Sequence, residues 1–228
     1  MSSRWSGAID DASPALARAW AEVVAPWCGL VKLGLEFFLA NGPPGVRGIS
    51  GRPVFLDLKL HDIPNTVARA VDAILPLGPH MLTVHAAGGP AMMTAARRAA
   101  EHAGADRPLL LGIAVLTSLD EAALATIGVP GGTAAQALRL GQLAVSAGAD
   151  GLVCSAHEVA ALRAEFGERV KLVVPGIRPP GSEAGDQART MTPEQAVAAG
   201  ADWIVVGRPV TGAADPAAAA AAISGVLA

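Results

Sequence analysis

The chain has 228 residues, of which 52% are hydrophobic and 16% are charged. This apolar fraction excludes a disordered chain, and 228 residues are enough to bury a sizeable core. Seventeen lysines and arginines against twenty aspartates and glutamates give a net charge of −3, so the basic excess typical of proteins that grip a nucleic-acid backbone is absent.

Short apolar runs alternate with alanine-rich stretches along the chain, which indicates alternating strands and helices. In chain order, the predicted strands are Ser6–Asp10 (the weakest pattern), Leu30–Leu35, Val54–Leu60, Met81–Ala86, Leu109–Leu116, Gly151–Ser155, Lys171–Gly176 and Trp203–Gly207. The predicted helices are Val67–Leu75, Ala91–Ala103, Ala134–Ala147, His157–Phe166, Pro193–Ala199 and Ala217–Ala222.

The fold class follows from the number and character of these units. The strands are almost continuously apolar, as is typical of parallel strands buried on both faces. Eight strand–helix units average about 28 residues each, which favours a compact (β/α)8 TIM barrel over an open sheet. A doubly wound sheet stays possible, although no G-x-G-x-x-G follows an early strand. No linker or change in composition interrupts the chain, so residues 1–228 are expected to form a single barrel domain.

Two further features bear on where the protein works. Cys28 and Cys154 have neither metal-ligand nor disulfide spacing, and buried thiols are expected. No apolar run approaches the roughly 18 residues of a membrane span, and the first residues lack the apolar segment of a signal peptide. We therefore expect a soluble, cytoplasmic protein that binds neither membrane nor nucleic acid.

The distribution of lysine singles out two positions. Arginine outnumbers lysine fourteen to three, so most of the positive charge comes from arginine. Lys171 stands at the start of a predicted strand, where a surface role is reasonable. Lys32 and Lys59 instead lie inside apolar, strand-like runs. A lysine ammonium is a compact charge that can give up a proton, which makes these two positions candidates for chemistry.

The carboxyl ends of the strands are where a barrel carries its function. Asp57 and Lys59 are two residues apart on the third strand and are expected to point to the same face. Two charges in an apolar run are costly unless they are paired, and a structural ion pair alone is as plausible as a catalytic one. Lys32 and Asp10 at neighbouring strand ends, with Asp62 just beyond, favour a catalytic charge cluster.

The last two strands predict an anion site. A long polar loop rich in glycine and proline, residues 175–189, follows the seventh strand and is typical of an active-site lid, or alternatively of a surface excursion. Gly207 and Arg208 end the eighth strand, where barrels of this kind bind phosphate. A salt bridge at the rim is the alternative for Arg208. No set of histidines or carboxylates has convincing metal-ligand spacing.

These residues carry a resemblance to a known family. The run from Asp57 to Thr66, DLKLHDIPNT, resembles the signature of the orotidine 5′-phosphate decarboxylase family. The similarity continues through the segments Val31–Glu36, Val115–Ser118, Pro175–Gln187 and Val206–Thr211, and it covers nearly the whole chain. Because the motifs are long and specific, a chance match is improbable.

The resemblance implies decarboxylation of orotidine 5′-monophosphate to uridine 5′-monophosphate, the last step of pyrimidine nucleotide synthesis. It implies a TIM-barrel homodimer with no metal and no organic cofactor. Lys59 is then the proton donor to C6 of the pyrimidine, and Asp57 lies beside the departing carboxylate. Lys32 and Asp62 complete the catalytic array, with Asp62 and Thr66 reaching into the partner subunit's site.

The resemblance also implies which residues bind the substrate. Asp10, Lys32 and Thr66 resemble the ribose contacts, with Asp10 chosen over Asp11 on register. The remaining residues match the segment that holds the base (Thr117 and Ser118), the lid motif (Arg178) and the phosphate grip (Gln187, Gly207 and Arg208).

Three other functions remain open from the residues. Related Mg²⁺-dependent enzymes that act on sugar phosphates, ketogulonate-phosphate decarboxylase and hexulose-phosphate synthase, share the Asp-x-Lys-x-x-Asp pattern. The HDIPNT continuation and the lid motif argue against them. A Schiff-base aldolase would use Lys59 as a nucleophile, which the neighbouring carboxylates oppose by holding it protonated. A barrel that binds phosphate without catalysis would leave the charge cluster unexplained.

Overall fold

The computed structural model describes residues 4–49, 51–180 and 190–227. Eight parallel strands form a closed barrel in the order of the sequence. The strands are β1 (Trp5–Ile9), β2 (Leu30–Gly34), β3 (Val54–Leu60), β4 (Met81–His85), β5 (Leu109–Ile113), β6 (Gly151–Val153), β7 (Lys171–Val174) and β8 (Trp203–Val206). The barrel closes where β1 pairs on one side with β2 and on the other with β8.

Helices follow the strands on the outside of the barrel. They are α1 (Pro14–Val24), α2 (Leu35–Arg47), α3 (Pro64–Ile74), α4 (Gly89–Ala100), α5 (Glu121–Thr126), α6 (Gly132–Ser146), α7 (Val159–Phe166), α8 (Pro193–Ala198), α9 (Arg208–Thr211) and α10 (Pro216–Val226). The predicted (β/α)8 TIM barrel is therefore confirmed. None of the helices in the described part of the chain has both the length and the apolar character needed to span a membrane.

The hydrophobic core has two parts because successive strand residues face opposite sides of the sheet. The larger part lies between the strands and the helices and includes Leu33, Leu56 and Leu82. The smaller part fills the barrel interior and consists of Ala8, Leu30, Phe55, Met81, Leu111, Ile113, Val153, Val173 and Val205. This interior cluster forms an apolar base beneath the carboxyl ends of the strands.

Two aspartate-centred ion clusters, which we call the amino-end clamps, lie where strands enter the barrel. Asp150, just before β6, accepts hydrogen bonds from both terminal nitrogens of Arg107 at 2.8 Å and from the Leu110 N–H at 2.8 Å. Burial would raise the pKa of Asp150, but the hydrogen bonds from Arg107 and Leu110 outweigh it and lower that pKa below its usual range. The clamp thus ties the ends of neighbouring strands together.

The second clamp repeats this arrangement around Asp202, just before β8. Its carboxylate pairs with Arg163 and with Lys171 Nζ at 3.1 Å, and it accepts the Leu172 N–H at 2.9 Å. Lys171 therefore belongs to the stabilising end of the barrel. The other two lysines are found at the opposite end.

Candidate active site

A cavity of about 530 Å³ opens at the carboxyl ends of the strands. Apolar side chains from the barrel interior form its floor, namely Ala8, Phe55, Ile113, Val153 and Val205. Charged side chains from the strand ends and the following loops form its walls, namely Asp10, Lys32, Glu36, Asp57, Lys59, Arg178 and Arg208. The cavity therefore combines an apolar base with a strongly charged rim, as ligand sites with oriented polar groups do.

Four of these side chains form a continuous line of alternating charge, which we call the charged array. Lys32 Nζ lies 2.9 Å from Asp10 Oδ1 and 3.6 Å from Asp57 Oδ2. Lys59 Nζ lies 2.7 Å from the same Asp57 oxygen. The order Asp10, Lys32, Asp57, Lys59 places a positive and a negative charge alternately across β1, β2 and β3. Each inner charge therefore has two opposite neighbours.

Burial differs along the charged array. The side chains of Lys32 and Asp57 are only 7% and 12% exposed, whereas those of Lys59 and Asp10 are 40% and 52% exposed. Burial alone would lower the pKa of Lys32, but the charges of Asp57 and Asp10 outweigh it and raise that pKa. Burial would raise the pKa of Asp57, but Lys32 and Lys59 outweigh it and lower that pKa. Both inner groups are therefore held in their charged forms.

The backbone at Lys59 departs from a regular strand. Pairing between β3 and β4 shifts register between Leu56 and Leu60, as in a β-bulge. Lys59 has a φ of 50°, the only positive φ among the described residues other than glycine. A left-handed backbone is costly for such a residue, and residues of this kind cluster at active sites. The bulge still leaves the side chains of Asp57 and Lys59 on the same face of the sheet.

Thr83 on β4 supports this irregular backbone, and sequence reasoning did not single it out. Its side chain is completely buried. Its Oγ1 accepts a hydrogen bond from the Lys59 N–H at 2.8 Å and donates one to Asp57 Oδ1 at 3.0 Å. A threonine in an apolar strand looks like ordinary β-branched filling, so only the tertiary structure reveals this role.

Gly34 is a second residue that the sequence did not single out. It ends β2, two residues after Lys32, and it lines the cavity. A Cβ built at Gly34 would overlap Oδ1 of Asp10 and would lie 3.2 Å from Lys32 Nζ. Glycine at this position therefore makes room for the ion pair between Asp10 and Lys32.

The predicted anion site lies at the same cavity. Gly207, Arg208, Arg178 and Thr117 all line it. Arg208 begins α9 directly after β8. A Cβ at Gly207 would meet the Cβ of Ala8 at 3.2 Å, so the absence of a side chain lets β8 approach β1 closely. Two arginines thus share one cavity with the charged array.

Three predicted site residues in the described part of the chain do not line this cavity, and a fourth lies outside that part. Asp62 and Thr66 are exposed and do not line it, and Asp62 Oδ1 accepts a hydrogen bond from the neighbouring Ile63 N–H at 2.6 Å. Ser118 is exposed and does not line it either, although Thr117 does. Gln187 lies outside the described residues.

The choice between Asp10 and Asp11 can be read from their partners. Asp10 binds Lys32 through both carboxylate oxygens, at 2.9 and 3.2 Å. Asp11 instead accepts a hydrogen bond from the Ser13 N–H at 2.7 Å, next to the start of α1. Asp10 is therefore the member of the charged array.

Two histidines stack beside the array. The rings of His61 and His85 lie 5.1 Å apart with an interplanar angle of 18°. Burial, followed by the nearby His61 and Lys59, lowers the pKa of His85. The neutral form of His85 is thus favoured beside Lys59.

Cys28 and Cys154 are buried thiols that form no disulfide, as predicted, and Cys154 also lines the cavity. Within residues 4–49, 51–180 and 190–227, no group of three or more histidine, cysteine, aspartate or glutamate side chains is arranged to hold a metal ion.

A closed (β/α)8 barrel with a charged array and two arginines around one cavity at its carboxyl ends defines a TIM-barrel enzyme. The family model described as "Orotidine 5′-phosphate decarboxylase / HUMPS family" matches residues 7–223. The chain belongs to this family.

Individual relatives agree with the family match. The chain is 53% identical to orotidine 5′-phosphate decarboxylase of Gluconobacter oxydans, over 99% of this chain and 97% of the relative. It is 55% identical to the protein of the same name from Anaeromyxobacter dehalogenans, over 99% of both chains. Among solved structures, orotidine 5′-phosphate decarboxylase from Lactobacillus acidophilus aligns over 99% of both chains, with a TM-score of 0.86 and 35% identity.

Proposed function

We propose that this protein decarboxylates orotidine 5′-monophosphate to uridine 5′-monophosphate in the synthesis of pyrimidine nucleotides. The observation that carries the proposal is the charged array, which presents the Lys59 ammonium to a cavity that also holds two arginines. The names of relatives that are more than 50% identical over nearly the full chain support the same activity.

The cavity suits a nucleoside monophosphate. Its volume of about 530 Å³ falls within the usual range for small-molecule sites. Arg208 and Arg178 supply positive charge for the phosphate, because an arginine can bind phosphate through two parallel hydrogen bonds. Asp10 and Lys32 are the proposed contacts to the ribose hydroxyls. The planar base would lie over the apolar floor, with Thr117 at its edge.

The chemical difficulty lies in the electron pair left behind when CO2 departs. The bond from C6 to the carboxylate breaks, and its electrons remain on C6 in the plane of the ring, where the ring π-system cannot delocalise them. In this proposal the Lys59 ammonium stabilises the electron pair on C6 and then protonates C6. The proton passes from Nζ to C6, and the neutral amine regains a proton from solvent. Charge balances at each step.

The rest of the array explains how Lys59 performs this task. Preorganised charges usually make the largest contribution to catalysis because they need no rearrangement as the reaction proceeds. Asp57 holds the Lys59 ammonium at 2.7 Å, and Lys32 holds Asp57 in turn. The lysine charge is thus in place before the carbanion develops.

Phosphate binding contributes to catalysis although the phosphate group lies far from the reacting carbon. Binding energy from remote groups can be used to organise the reacting centre. The proposed contacts are made by Arg208 and Gly207, together with Gln187. Loss of a phosphate contact is therefore expected to lower the rate as well as the affinity.

We also propose that the active form is a homodimer. Asp62 and Thr66 are exposed at the start of α3, beside Ile63, whose side chain is 66% exposed. An isoleucine this exposed next to two residues of the family signature fits a surface covered by a second copy. In this arrangement Asp62 and Thr66 complete the site of the partner. Two buried cysteines that form no disulfide suit the reducing cytoplasm.

The test is a spectrophotometric assay with orotidine 5′-monophosphate in the presence of EDTA. Turnover that survives EDTA is expected, and it separates this activity from the Mg²⁺-dependent enzymes that share the Asp-x-Lys-x-x-Asp pattern. Lys59→Ala should abolish turnover with an unchanged circular dichroism spectrum. Lys171→Ala is the matched control, since Lys171 belongs to an amino-end clamp, and it should keep its activity.

Three results would overturn the proposal. These are no turnover by the wild-type chain, normal turnover by Lys59→Ala, and covalent trapping of substrate on Lys59 by borohydride. The last would identify a Schiff-base mechanism instead.

A further inference from the structure

A single buried hydroxyl connects the backbone and the side chains of the charged array. Thr83 on β4 is completely buried, and its Oγ1 makes two hydrogen bonds. It accepts from the Lys59 N–H at 2.8 Å and donates to Asp57 Oδ1 at 3.0 Å. A hydroxyl has only one proton to donate, so the Asp57 carboxylate receives it.

The first bond meets a need created by the bulge. Regular pairing between β3 and β4 is interrupted between Leu56 and Leu60. The Lys59 N–H is directed to the threonine oxygen instead of a backbone carbonyl. A buried N–H without a partner is costly, so this bond makes the left-handed backbone of Lys59 tolerable.

The second bond fixes the orientation of the Asp57 carboxylate. Oδ2 of Asp57 faces the two lysines, at 2.7 Å from Lys59 Nζ and 3.6 Å from Lys32 Nζ. Oδ1 is held on the other side by Thr83. With one oxygen anchored, the carboxylate cannot rotate freely, and Oδ2 stays directed at the lysines.

We propose that Thr83 is a positioning residue for decarboxylation, which holds Lys59 and Asp57 in their reactive arrangement through one hydroxyl. The inference rests on the proposed function and assigns a role to a residue outside the charged array. Thr83 acts through Lys59 and Asp57 and does not line the cavity.

A second buried hydroxyl in the barrel, that of Ser6, provides a control for the Thr83 hydroxyl. Ser6 on β1 is two residues before Ala8, which faces the barrel interior. Its Oγ is buried, and among the described residues it has no hydrogen-bond partner. Loss of this hydroxyl removes no contact to the array. Ser6→Ala is therefore a matched control for the loss of the Thr83 hydroxyl.

The experiment compares Thr83→Val, Thr83→Ser and Ser6→Ala with the wild-type chain. Valine keeps the shape of threonine but has no hydroxyl, and serine keeps the hydroxyl. We expect Thr83→Val to lower kcat by about tenfold or more, as for loss of a hydrogen bond to a charged group. KM and the Kd for uridine 5′-monophosphate should change by less than about threefold, because the ribose and phosphate contacts are untouched.

The serine and control variants separate positioning from structure. Thr83→Ser should keep kcat within about threefold of wild type, and Ser6→Ala should leave it unchanged. A merely structural role predicts instead that kcat at a temperature well below Tm is normal in every variant that is folded. Thermal melting of each variant checks that the comparison is made on folded protein.

A measurement without turnover tests the inference independently of the proposed function. The titration of the Asp57 carboxyl carbon, followed by NMR with Asp57→Asn to assign the signal, should shift to higher pH in Thr83→Val, because a hydrogen bond to the carboxylate is lost. Lys32 and Lys59 face the same carboxylate, and both variants leave these two lysines unchanged. No shift of the Asp57 titration is expected in the Ser6→Ala control. An inactive wild-type chain would refute the proposed function. Normal kcat or an unshifted titration in Thr83→Val would refute the role of Thr83.

Discussion

Replacing Lys59 by glycine and by alanine tests whether its backbone is strained. Both variants remove the ammonium group, so neither should decarboxylate orotidine 5′-monophosphate. They differ in stability, because Lys59 has a φ of 50° and only glycine adopts such a backbone without steric cost. We therefore expect the variant Lys59→Gly to be more stable than Lys59→Ala.

The size of the difference follows from two opposing effects. A left-handed backbone costs a residue with a Cβ about 1–2 kcal/mol, which glycine avoids. Glycine also gives the unfolded chain more conformational freedom, which reduces this advantage by about 0.4–1 kcal/mol. The net preference for glycine is about 1 kcal/mol, or about 2–4 °C in Tm for a chain of this length.

Thermal and urea unfolding of the two variants measure this difference. The matched control is the same pair of substitutions at Lys171, which begins β7 without a positive φ. There glycine should be the less stable choice by about 0.5–1 kcal/mol. If Lys59→Gly were no more stable than Lys59→Ala, or if both pairs differed in the same direction, the argument that the bulge strains Lys59 would be refuted.

Two further outcomes are expected. Arg208→Ala should lower kcat/KM by about a hundredfold or more through loss of charged phosphate contacts, while Tm stays within about 2 °C because Arg208 is exposed; near-normal kcat/KM in steady-state assays would count against the phosphate site. Asp150→Ala should lower Tm by about 4–12 °C through loss of an amino-end clamp, with kcat unchanged. The pKa of Asp150 is lower in the folded protein than in the unfolded chain, so its carboxylate stabilises the fold fully above about pH 4. This stabilisation disappears as the pH falls through the pKa of the folded state. The Tm values of Asp150→Ala and wild type should therefore converge in acid. A Tm difference that persisted unchanged at low pH would show that the carboxylate charge is not its source.

The sequence predicted the strands well but extended several of them at their carboxyl ends. The predicted strand Leu109–Leu116 ends at Ile113, and the predicted strand Gly151–Ser155 ends at Val153. Apolar residues continue beyond these ends because they line the cavity, as Val115 does. Hydrophobicity alone cannot distinguish a buried strand from a buried loop that follows it.

Four of the described helices were absent from the sequence prediction, and two of them are short, namely α5 (Glu121–Thr126) and α9 (Arg208–Thr211). The other two are longer. Helix α1 covers Pro14–Val24, and α2 covers Leu35–Arg47. Helix α2 contains Gly42, Pro43 and Pro44, residues that disfavour a helix, and its backbone is kinked at Gly42, where φ is 58°. The kink divides α2 into two helical stretches, and the prolines stand at the start of the second, where a helix tolerates proline. The sequence signals the interruption but not the helices on either side of it.

For the site, the sequence indicated charges on neighbouring strands but not how they are held. Regular alternation on β3 brought Asp57 and Lys59 together in the prediction. The structure reaches the same arrangement through a bulge, with a hydrogen bond from the Lys59 N–H to Thr83, which lies 24 positions further along the chain. Gly34 likewise matters through the side chain of Asp10, which follows another strand. Such long-range contacts leave no local pattern in a single sequence.

The amino-end clamps have a consequence for how this scaffold tolerates change. Asp150 and Asp202 tie neighbouring strands together at the end of the barrel opposite the cavity. Because these ion clusters hold the strands in register at one end, residues around the cavity need to contribute less to that register. We therefore expect substitutions around the cavity to cost less stability than loss of either aspartate, which would make this barrel a suitable scaffold for laboratory evolution toward other substrates.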